Sequence, residues 1–508
     1  MLALYLLLLA CVAAAFLLTL GRRIYDTVTR PALPPGPRPL PIIGNLLQLP
    51  KANNHLVFAE WSKSYGDIMS MTLLGKTFII LNSRRAVFDV LERSAAVSAG
   101  RPQLVMANEL VGFGKLPTLT SDMSLHRKYR RMYARALSGT ASQRYWTNQT
   151  REMRRTVLQL LEENGDPIPA VKQGVGCIIS EVVYGHRLSS PDDEFLVKAR
   201  EVLVIFERVI RPGAFLVDTF PWLKYIPEWF PGAGFKRRAR EWRATSDRLR
   251  QDHLDKVKRD MSAGTAHPSY VTNLLSQTEK SERMDVAEVE ELVKWSAGTL
   301  YGAGSDTTVV TIQNFLVALL QFPKAQERAR EEVDRVVGRE RMPDIQDRER
   351  MPYCQAMVQE ILRWRPAVPL GIPHAMLQDE LYCGYLLPAG ATVIPNIWSL
   401  THDPHLYPNP DQYRPERFLF EDGTKTIDGG REAFGFGRRI CAGSHLAESS
   451  IFAFITTLIW AANVTGAAGF DGNVDYETGA VNRPKEIPCD IRPRSEQVIE
   501  MLRGSVLE

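Results

Sequence analysis

Ten residues toward the C-terminal end, Phe434–Gly443, read Phe-Gly-Phe-Gly-Arg-Arg-Ile-Cys-Ala-Gly. They place one cysteine, Cys441, in a loop rich in glycine and arginine. From Ser444 to Ala453 the residues are mostly small or apolar, and Leu446, Ala447, Ile451, Phe452 and Ala453 recur at helical spacing. Cys441 therefore stands just ahead of a predicted helix N-terminus. Outward N–H groups and the helix dipole favour negative charge there, which is expected to lower the cysteine pKa and stabilise a thiolate. Gly435, Gly437 and Gly443 let the backbone turn tightly and approach something flat, and Arg439 adds a fixed cation. A buried structural cysteine is the ordinary alternative.

A second unusual run lies upstream. Val286–Phe322 keeps helical periodicity over a length that few globular helices reach, and in its middle stands Gly302-Ala303-Gly304-Ser305-Asp306-Thr307-Thr308. Two glycines, a carboxylate and two threonines are locally unfavourable inside a helix. Such departures are expected where a chain does chemistry; the alternative is a Ser/Thr-rich turn between two helices. A third feature is Glu360-Ile361-Leu362-Arg363, with ion-pair spacing on a helix, followed by Pro415-Glu416-Arg417-Phe418 before the cysteine. Alone, Glu-x-x-Arg is common on surface helices.

The pattern Phe434, Gly437, Arg439, Cys441, Gly443 resembles the haem-thiolate signature of the cytochrome P-450 family, with Ala442 where many members carry proline. The resemblance implies that Cys441 is the axial ligand of a haem b iron, pushing electron density toward it, and that Arg439 pairs with a propionate. The mid-helix run resembles that family's (Ala/Gly)-Gly-x-(Asp/Glu)-Thr kink. On this resemblance Ala303 and Gly304 leave room for dioxygen, Thr307 hydrogen-bonds an oxygen ligand or a water, and Asp306 relays protons through a wet, locally opened helix. Glu360, Arg363 and Arg417 are implied to brace the cysteine loop and to do no chemistry.

Further positions follow from the same resemblance. His126-Arg127-Lys128-Tyr129-Arg130-Arg131 opens a predicted helix. His126 and Arg130, one turn apart, stand where the family often has Trp and Arg reaching a propionate, and histidine can still donate a hydrogen bond. A solvated basic face is the alternative, and Arg127, Lys128 and Arg131 suit docking of an acidic redox partner. Prolines give Arg365–His374 an extended path; the resemblance turns Val368 and Leu370 toward substrate and places His374 at a propionate, with a surface histidine as the alternative. Phe113, in the loop-like stretch Arg101–Leu125, Ala303, and Val481 at a hairpin tip complete the substrate-lining candidates.

The elements that must position these residues are readable in part. Leu2–Leu20 is an apolar run of the roughly 20 residues needed to span a bilayer, followed by Arg22, Arg23 and Arg30. It is expected to be an N-terminal transmembrane anchor with its C-terminal side cytosolic; a cleaved signal peptide competes. Residues 31–44 are proline-rich and expected to be a stiff hinge, leaving 45–508 as the haem-thiolate domain. Anchor and hinge together suggest a single-pass endoplasmic reticulum protein with its catalytic domain in the cytosol. His55–Gly66 reads as a helix, and Ile68–Leu74 with Thr77–Leu81 as a hairpin. From Asn148 to Met261 the pattern is mostly helical. Trp222, Trp229 and Phe230 suit membrane contact or, more ordinarily, core packing. Leu381–Tyr385 and Ala391–Asn396 read as short strands.

Bulk properties set bounds. The 508 residues suffice for a large core, and 45% apolar with 24% charged residues is ordinary for a globular protein. A net charge of +4 is too small to argue for nucleic acid. Six cysteines without paired spacing favour a reducing compartment. The fold expected is mainly α with minor β-sheets: one large haem domain behind an anchor. The function expected is insertion of one oxygen atom into a hydrophobic small molecule. No G-x-G-x-x-G loop opens a βαβ unit, so electrons from NADPH must arrive through a separate cytochrome P-450 reductase, with cytochrome b5 as a further donor. The run Cys441–Ala447 resembles fungal microsomal members, including secondary-metabolite tailoring enzymes and hydroxylases of aromatic acids such as phenylacetate; tailoring is the reading preferred. The alternatives are a reductase-independent isomerase or dehydratase, against which Asp306-Thr307 argues, and a non-enzymatic haem binder or membrane-tethered scaffold.

Overall fold

Apolar periodicity is realised as a mainly helical domain with three small sheets. The computed structural model describes residues 31–163, 165–188, 193–211, 213–279, 285–421, 423, 429–477 and 479–507; the predicted anchor at 2–20 lies outside them. No helix among the described residues is long and apolar enough to cross a membrane.

In chain order the principal elements are α1 (Asn54–Tyr65), β1 (Ile68–Leu73), β2 (Lys76–Leu81), α2 (Met123–Leu137), α3 (Trp146–Glu163), α4 (Pro167–Tyr184), α5 (Glu194–Ile210), α6 (Gly234–Ser262), α7 (Val286–Gln321), α8 (Pro323–Val336), α9 (Pro352–Trp364), β3 (His374–Ala375), β4 (Glu380–Tyr382), β5 (Tyr385–Leu387), β6 (Thr392–Pro395), α10 (Ser444–Ala461), β7 (Ala462–Gly466) and β8 (Cys489–Pro493). One sheet has the order β1-β2-β6-β3, with β2 and β6 parallel and the outer pairs antiparallel; β4-β5 and β7-β8 are two-stranded.

Two helices make the centre. Thr308–Leu319 of α7 and Glu448–Ala461 of α10 are buried on every side, as expected of helices apolar all round. α7 packs along α4, and α10 along α3. Side-chain caps fix several helix starts: Asp122 for α2, Asp166 with Pro167 for α4, Asp193 for α5 and Asp285 for α7. The Asp122 cap sets the start of α2 at Met123, one turn before the predicted start at His126.

Three expectations are corrected here. The Leu381–Tyr385 strand is a hairpin, because Cys383 and Gly384 both take positive φ, 51° and 81°. The proline-rich hinge is fastened to the domain: Ser70 N donates to Pro35 O at 2.8 Å and Ser70 Oγ to Pro34 O at 2.6 Å. Trp222 and Trp229 are not core residues; they are 62% and 81% exposed, beside Tyr225 and Phe230.

Candidate active site around Cys441

The cysteine loop is built as a sequence of forced turns. Gly437 has φ +57°, and a Cβ there would fall 2.0 Å from Leu91 O, so only glycine allows this approach. Phe434 and Gly437 are half-buried, and Cys441 N donates to Phe434 O at 2.8 Å to close the loop. Cys441 stands three residues before α10 and presents exposed surface. Burial within the surrounding protein pushes its thiol pKa up, while the Gly443 N–H and the Arg130 guanidinium pull it down. The expected lowering is not reached in the protein alone: burial, with Glu448, outweighs the Gly443 N–H and the Arg130 charge. Coordination of a cation is what would remove its proton.

Around the loop converge five basic side chains. Arg439 donates to Ala99 O at 2.8 Å, Pro117 O at 3.0 Å and Thr120 O at 2.6 Å. Arg130, on α2, donates to Ile440 O at 2.7 Å. His126 and His374 are buried, and His374 Nδ1 lies 3.0 Å from Ser98 O. The fifth is Arg101, 5% exposed, which donates to Thr118 O at 2.9 Å, Ile372 O at 2.6 Å and Pro373 O at 2.8 Å. The three arginines among them oppose further positive charge and keep the two histidines neutral. Burial and then the Arg130 charge bring Arg439 down to about 10. Burial, then Arg439, Arg130 and Arg101, bring His126 down to about 3. Burial, then Arg101, holds His374 well below its ordinary value. Among the described residues no ion pair joins any of the five to a carboxylate. Three arginines held this close in partly or fully buried positions cost free energy unless an anion compensates them. This donor set fits a dianionic macrocycle whose metal meets Cys441.

The mid-helix run lies within one helix and not in a Ser/Thr-rich turn between two. α7 is continuous through Gly302–Thr308. Thr307 Oγ1 donates to Ala303 O at 2.9 Å, and Ser305 Oγ to Tyr301 O at 2.7 Å, so the hydroxyls satisfy themselves on their own helix. Ala303 is exposed although it lies mid-helix in the domain, and Thr307 is half-buried. Asp306 points elsewhere, since adjacent helical residues do not share a face. Its carboxylate is held by Arg483 Nη2, 3.2 Å from Oδ1 and 3.1 Å from Oδ2.

The structure brings Glu360, Arg363 and Arg417 together. Arg363 Nε donates to Glu360 Oε2 at 2.7 Å and Nη2 to Oε1 at 2.8 Å; Arg417 Nε reaches Oε1 at 3.0 Å. Arg363 also donates to Thr401 O and Gln412 O, and Arg414 N to Glu360 Oε1. The trio thus ties the coil leading to Cys441 onto α9.

Of the substrate-lining candidates, Val368, Leu370 and Val481 are half-buried. Phe113 is not open: it is 1% exposed, with its ring 5.9 Å from that of Phe206. The stretch around it is more ordered than the expected loop, with helical turns at Val105–Leu110 and Phe113–Lys115. Arg127 and Arg131 are exposed on α2, whereas Lys128 pairs with Glu288. Sequence reasoning missed Arg101 and Arg483. Both act across more than 170 residues of chain, Arg101 on Ile372 and Arg483 on Asp306, and neither sits in a recognisable motif.

A mainly helical domain carrying a cysteine loop braced from α9, beside a carboxylate-free basic cluster, defines a haem-thiolate class of site. The cytochrome P450 family model matches residues 34–471. The chain is 37% identical to cytochrome P450 monooxygenase 105 of Postia placenta, covering 98% of this chain and 96% of that protein. It is 36% identical to cytochrome P450 monooxygenase claR of Ampulloclitocybe clavipes, covering 94% and 89% respectively. The chain belongs to the cytochrome P450 family, and the expected enzyme class, a P450 monooxygenase, stands with that membership.

Proposed function

We propose that this chain uses haem b to insert one oxygen atom from dioxygen into a hydrophobic small molecule, as a tailoring step in fungal secondary-metabolite biosynthesis. The observation that carries the haem reading is the exposed Cys441 beside five basic side chains without a carboxylate partner. When bound, haem b supplies the redox-active iron at which dioxygen is reduced and one of its atoms becomes transferable to carbon. Cys441 would hold the iron, while Arg439, Arg130, Arg101, His126 and His374 would hold the two propionates. Phe434 and Gly437 shape the loop. Ala303 keeps the face of α7 small, and Val368, Leu370 and Val481 offer apolar surface to substrate. Thr307 Oγ1, released from Ala303 O, can orient a water. Asp306 is the acid that gives and regains protons. These two are the catalytic residues of the reading.

Electrons come from NADPH through a separate reductase, with cytochrome b5 as an auxiliary donor and exposed Arg127 and Arg131 on the docking face. We read residues 2–20 as an anchor and 45–508 as a cytosolic domain, with the fastened segment 31–44 between them, and this reading supports an endoplasmic reticulum location. The exposed Trp222, Tyr225 and Trp229 support a membrane-facing surface. The tailoring role rests on the resemblance of Cys441–Ala447 to fungal members.

A carbon-monoxide difference spectrum of the reduced protein tests the site. A red-shifted thiolate band that disappears in Cys441→Ala is expected; its absence from the intact protein overturns the reading. A metabolite comparison of strains carrying the intact protein or Cys441→Ala tests the role. Accumulation of a compound lighter by one oxygen than the lost product is expected, whereas failure to grow on an aromatic acid would favour the catabolic alternative.

A further inference from the structure

One buried arginine of α6 is under-partnered. Arg250 is 5% exposed, and its guanidinium lies 4.1 Å from the ring centre of Trp295 on α7 and 5.7 Å from that of Phe113. Arginine carries five N–H groups. Here Nη2 donates to Asp247 Oδ1 at 2.6 Å, Nε–H is buried and unsatisfied, and the guanidinium makes no other hydrogen bond to a described residue. Asp247 is itself half exposed and shared with Arg243, 3.8 Å away. A solvated carboxylate compensates a buried cation only in part. The neighbouring charges do not make up the difference. Glu291, the carboxylate beside Trp295, accepts from Trp295 Nε1 at 2.7 Å and Lys115 Nζ at 3.0 Å, and pairs with Lys294 at 2.6 Å. Against burial, Lys294, Trp295 and Lys115 bring its carboxyl down to about 2. In these contacts four cations, Arg243, Arg250, Lys115 and Lys294, share two carboxylates.

Arg250 also stands beside the open stretch of α7. Trp295–Ala297 and Thr308–Leu319 are buried, whereas Gly298–Leu300 and Gly302–Thr307 are partly buried or exposed. That stretch begins at Gly298, where an added Cβ would meet Arg250 Cγ at 3.3 Å and Cδ at 3.4 Å. One turn on, a Cβ at Gly302 would meet Leu203 Cδ2 of α5 at 3.2 Å, and Ala303 follows. Phe113, whose ring lies 5.9 Å from that of Phe206 on α5, links the two contacts. Gly298, and Arg250 upon it, thus lies about 7.5 Å along the helix axis from Ala303.

We propose that Arg250 is a specificity-determining residue that receives the carboxylate of the substrate, so that the hydrophobic molecule of the proposed function is an apolar acid with its anion between Phe113 and Trp295 and its other end toward Ala303. The inference rests on that function, in which Ala303 stands on the oxidising face. A carboxylate matches the planar edge of a guanidinium with two parallel hydrogen bonds. It supplies the charge that Asp247 supplies only in part. An uncharged substrate would leave the buried Nε–H unpaired. The two rings hold the plane of the guanidinium and keep water from it, which strengthens the pairing.

The experiment titrates the intact, haem-loaded protein with octanoate, decanoate, dodecanoate and phenylacetate, each against its methyl ester, at neutral pH. Equilibrium dialysis and the shift of the haem Soret band both read binding, without reductase or turnover. At least one acid is expected to bind the wild type about ten-fold or more tightly than its ester, the order set by a hydrogen bond to a buried charge. If no acid outbinds its ester, the proposal is overturned, and that comparison needs no variant. Arg250→Gln is expected to bring the acid-to-ester ratio to about one with ester binding unchanged. Arg250→Lys, which keeps the charge and loses the fork, is expected to retain part of the preference, and it carries the comparison if Arg250→Gln does not fold. A merely structural arginine would lower acid and ester binding together, and that outcome overturns the assignment, as does an acid preference that survives Arg250→Gln. A reduced protein without the thiolate carbon-monoxide band overturns the proposed function and this inference with it. A normal band without acid preference overturns the inference alone.

Discussion

Glu360 and Arg363, three residues apart on α9, are joined by two parallel hydrogen bonds with neither side chain reaching solvent. A fork of this kind is stable only while both charges are present. Removing one leaves the other buried and uncompensated, at a cost of roughly 3–5 kcal/mol. Glu360→Ala and Arg363→Ala are each expected to give protein without haem, and Arg417→Ala, at the partly exposed edge of the trio, a milder loss. Haem content per polypeptide after purification checks this, and full occupancy in Glu360→Ala would refute the brace.

Gly437→Ala should damage the cysteine loop out of proportion to its size. The left-handed backbone alone costs on the order of 1–3 kcal/mol for a residue with a side chain, and the new carbon would sit against Leu91 O. The expected result is loss of the thiolate carbon-monoxide band with helical circular dichroism retained. Gly435, whose φ is also positive but which has open space around it, should show the weaker effect.

Acid should unfold the protein through buried neutral histidines. Burial brings His253 down to about 3 with help from His186 and Lys198, His402 to about 2 with help from Arg363 and Arg365, and His55 to about 4 with help from Arg365. Their unfolded values lie near 6.5. Between the two, the unfolded chain binds more protons, so stability rises with pH. It should be full above about pH 6.5 and decline as pH falls toward 4, with up to about five protons taken up on unfolding once His126 and His374 are counted. Urea midpoints measured between pH 5 and 8 give that slope, and His253→Phe should reduce it by about one proton.

The exposed aromatic residues should bind membrane on their own account. A protein lacking residues 2–20 is expected to keep part of its affinity for phosphatidylcholine vesicles, and Trp222→Ser with Trp229→Ser to abolish what remains. Co-sedimentation at fixed lipid concentration measures it. Equal binding by the truncated protein with and without its tryptophans would remove this face from the membrane.

Local chemistry was the legible part of the sequence. Gly437, Cys441 and the helix behind them follow from residue types within ten positions, and Glu360 with Arg363 from one helical turn. Long-range pairing outside the family's motifs was not legible. Nothing near Arg483 announces Asp306, and nothing near Arg101 announces Ile372, because those contacts are made by topology. The two misjudged energies share a cause. The thiol of Cys441 and the hydroxyl of Thr307 were read from their neighbours in sequence, whereas burial sets the first and the carbonyl of Ala303 one turn back sets the second.

The carboxylate-free cluster also bears on how the molecule is made. Arg439 reaches Ala99 across 340 residues, so the cluster cannot assemble until nearly the whole chain has been synthesised. Its last member then arrives against the repulsion of those already in place. An anionic cofactor relieves that repulsion as it binds, and binding to the folded state alone displaces the folding equilibrium toward it. On the proposed reading, the cofactor is the last piece of the scaffold, and its binding is expected to shift the newly made chain toward the folded state.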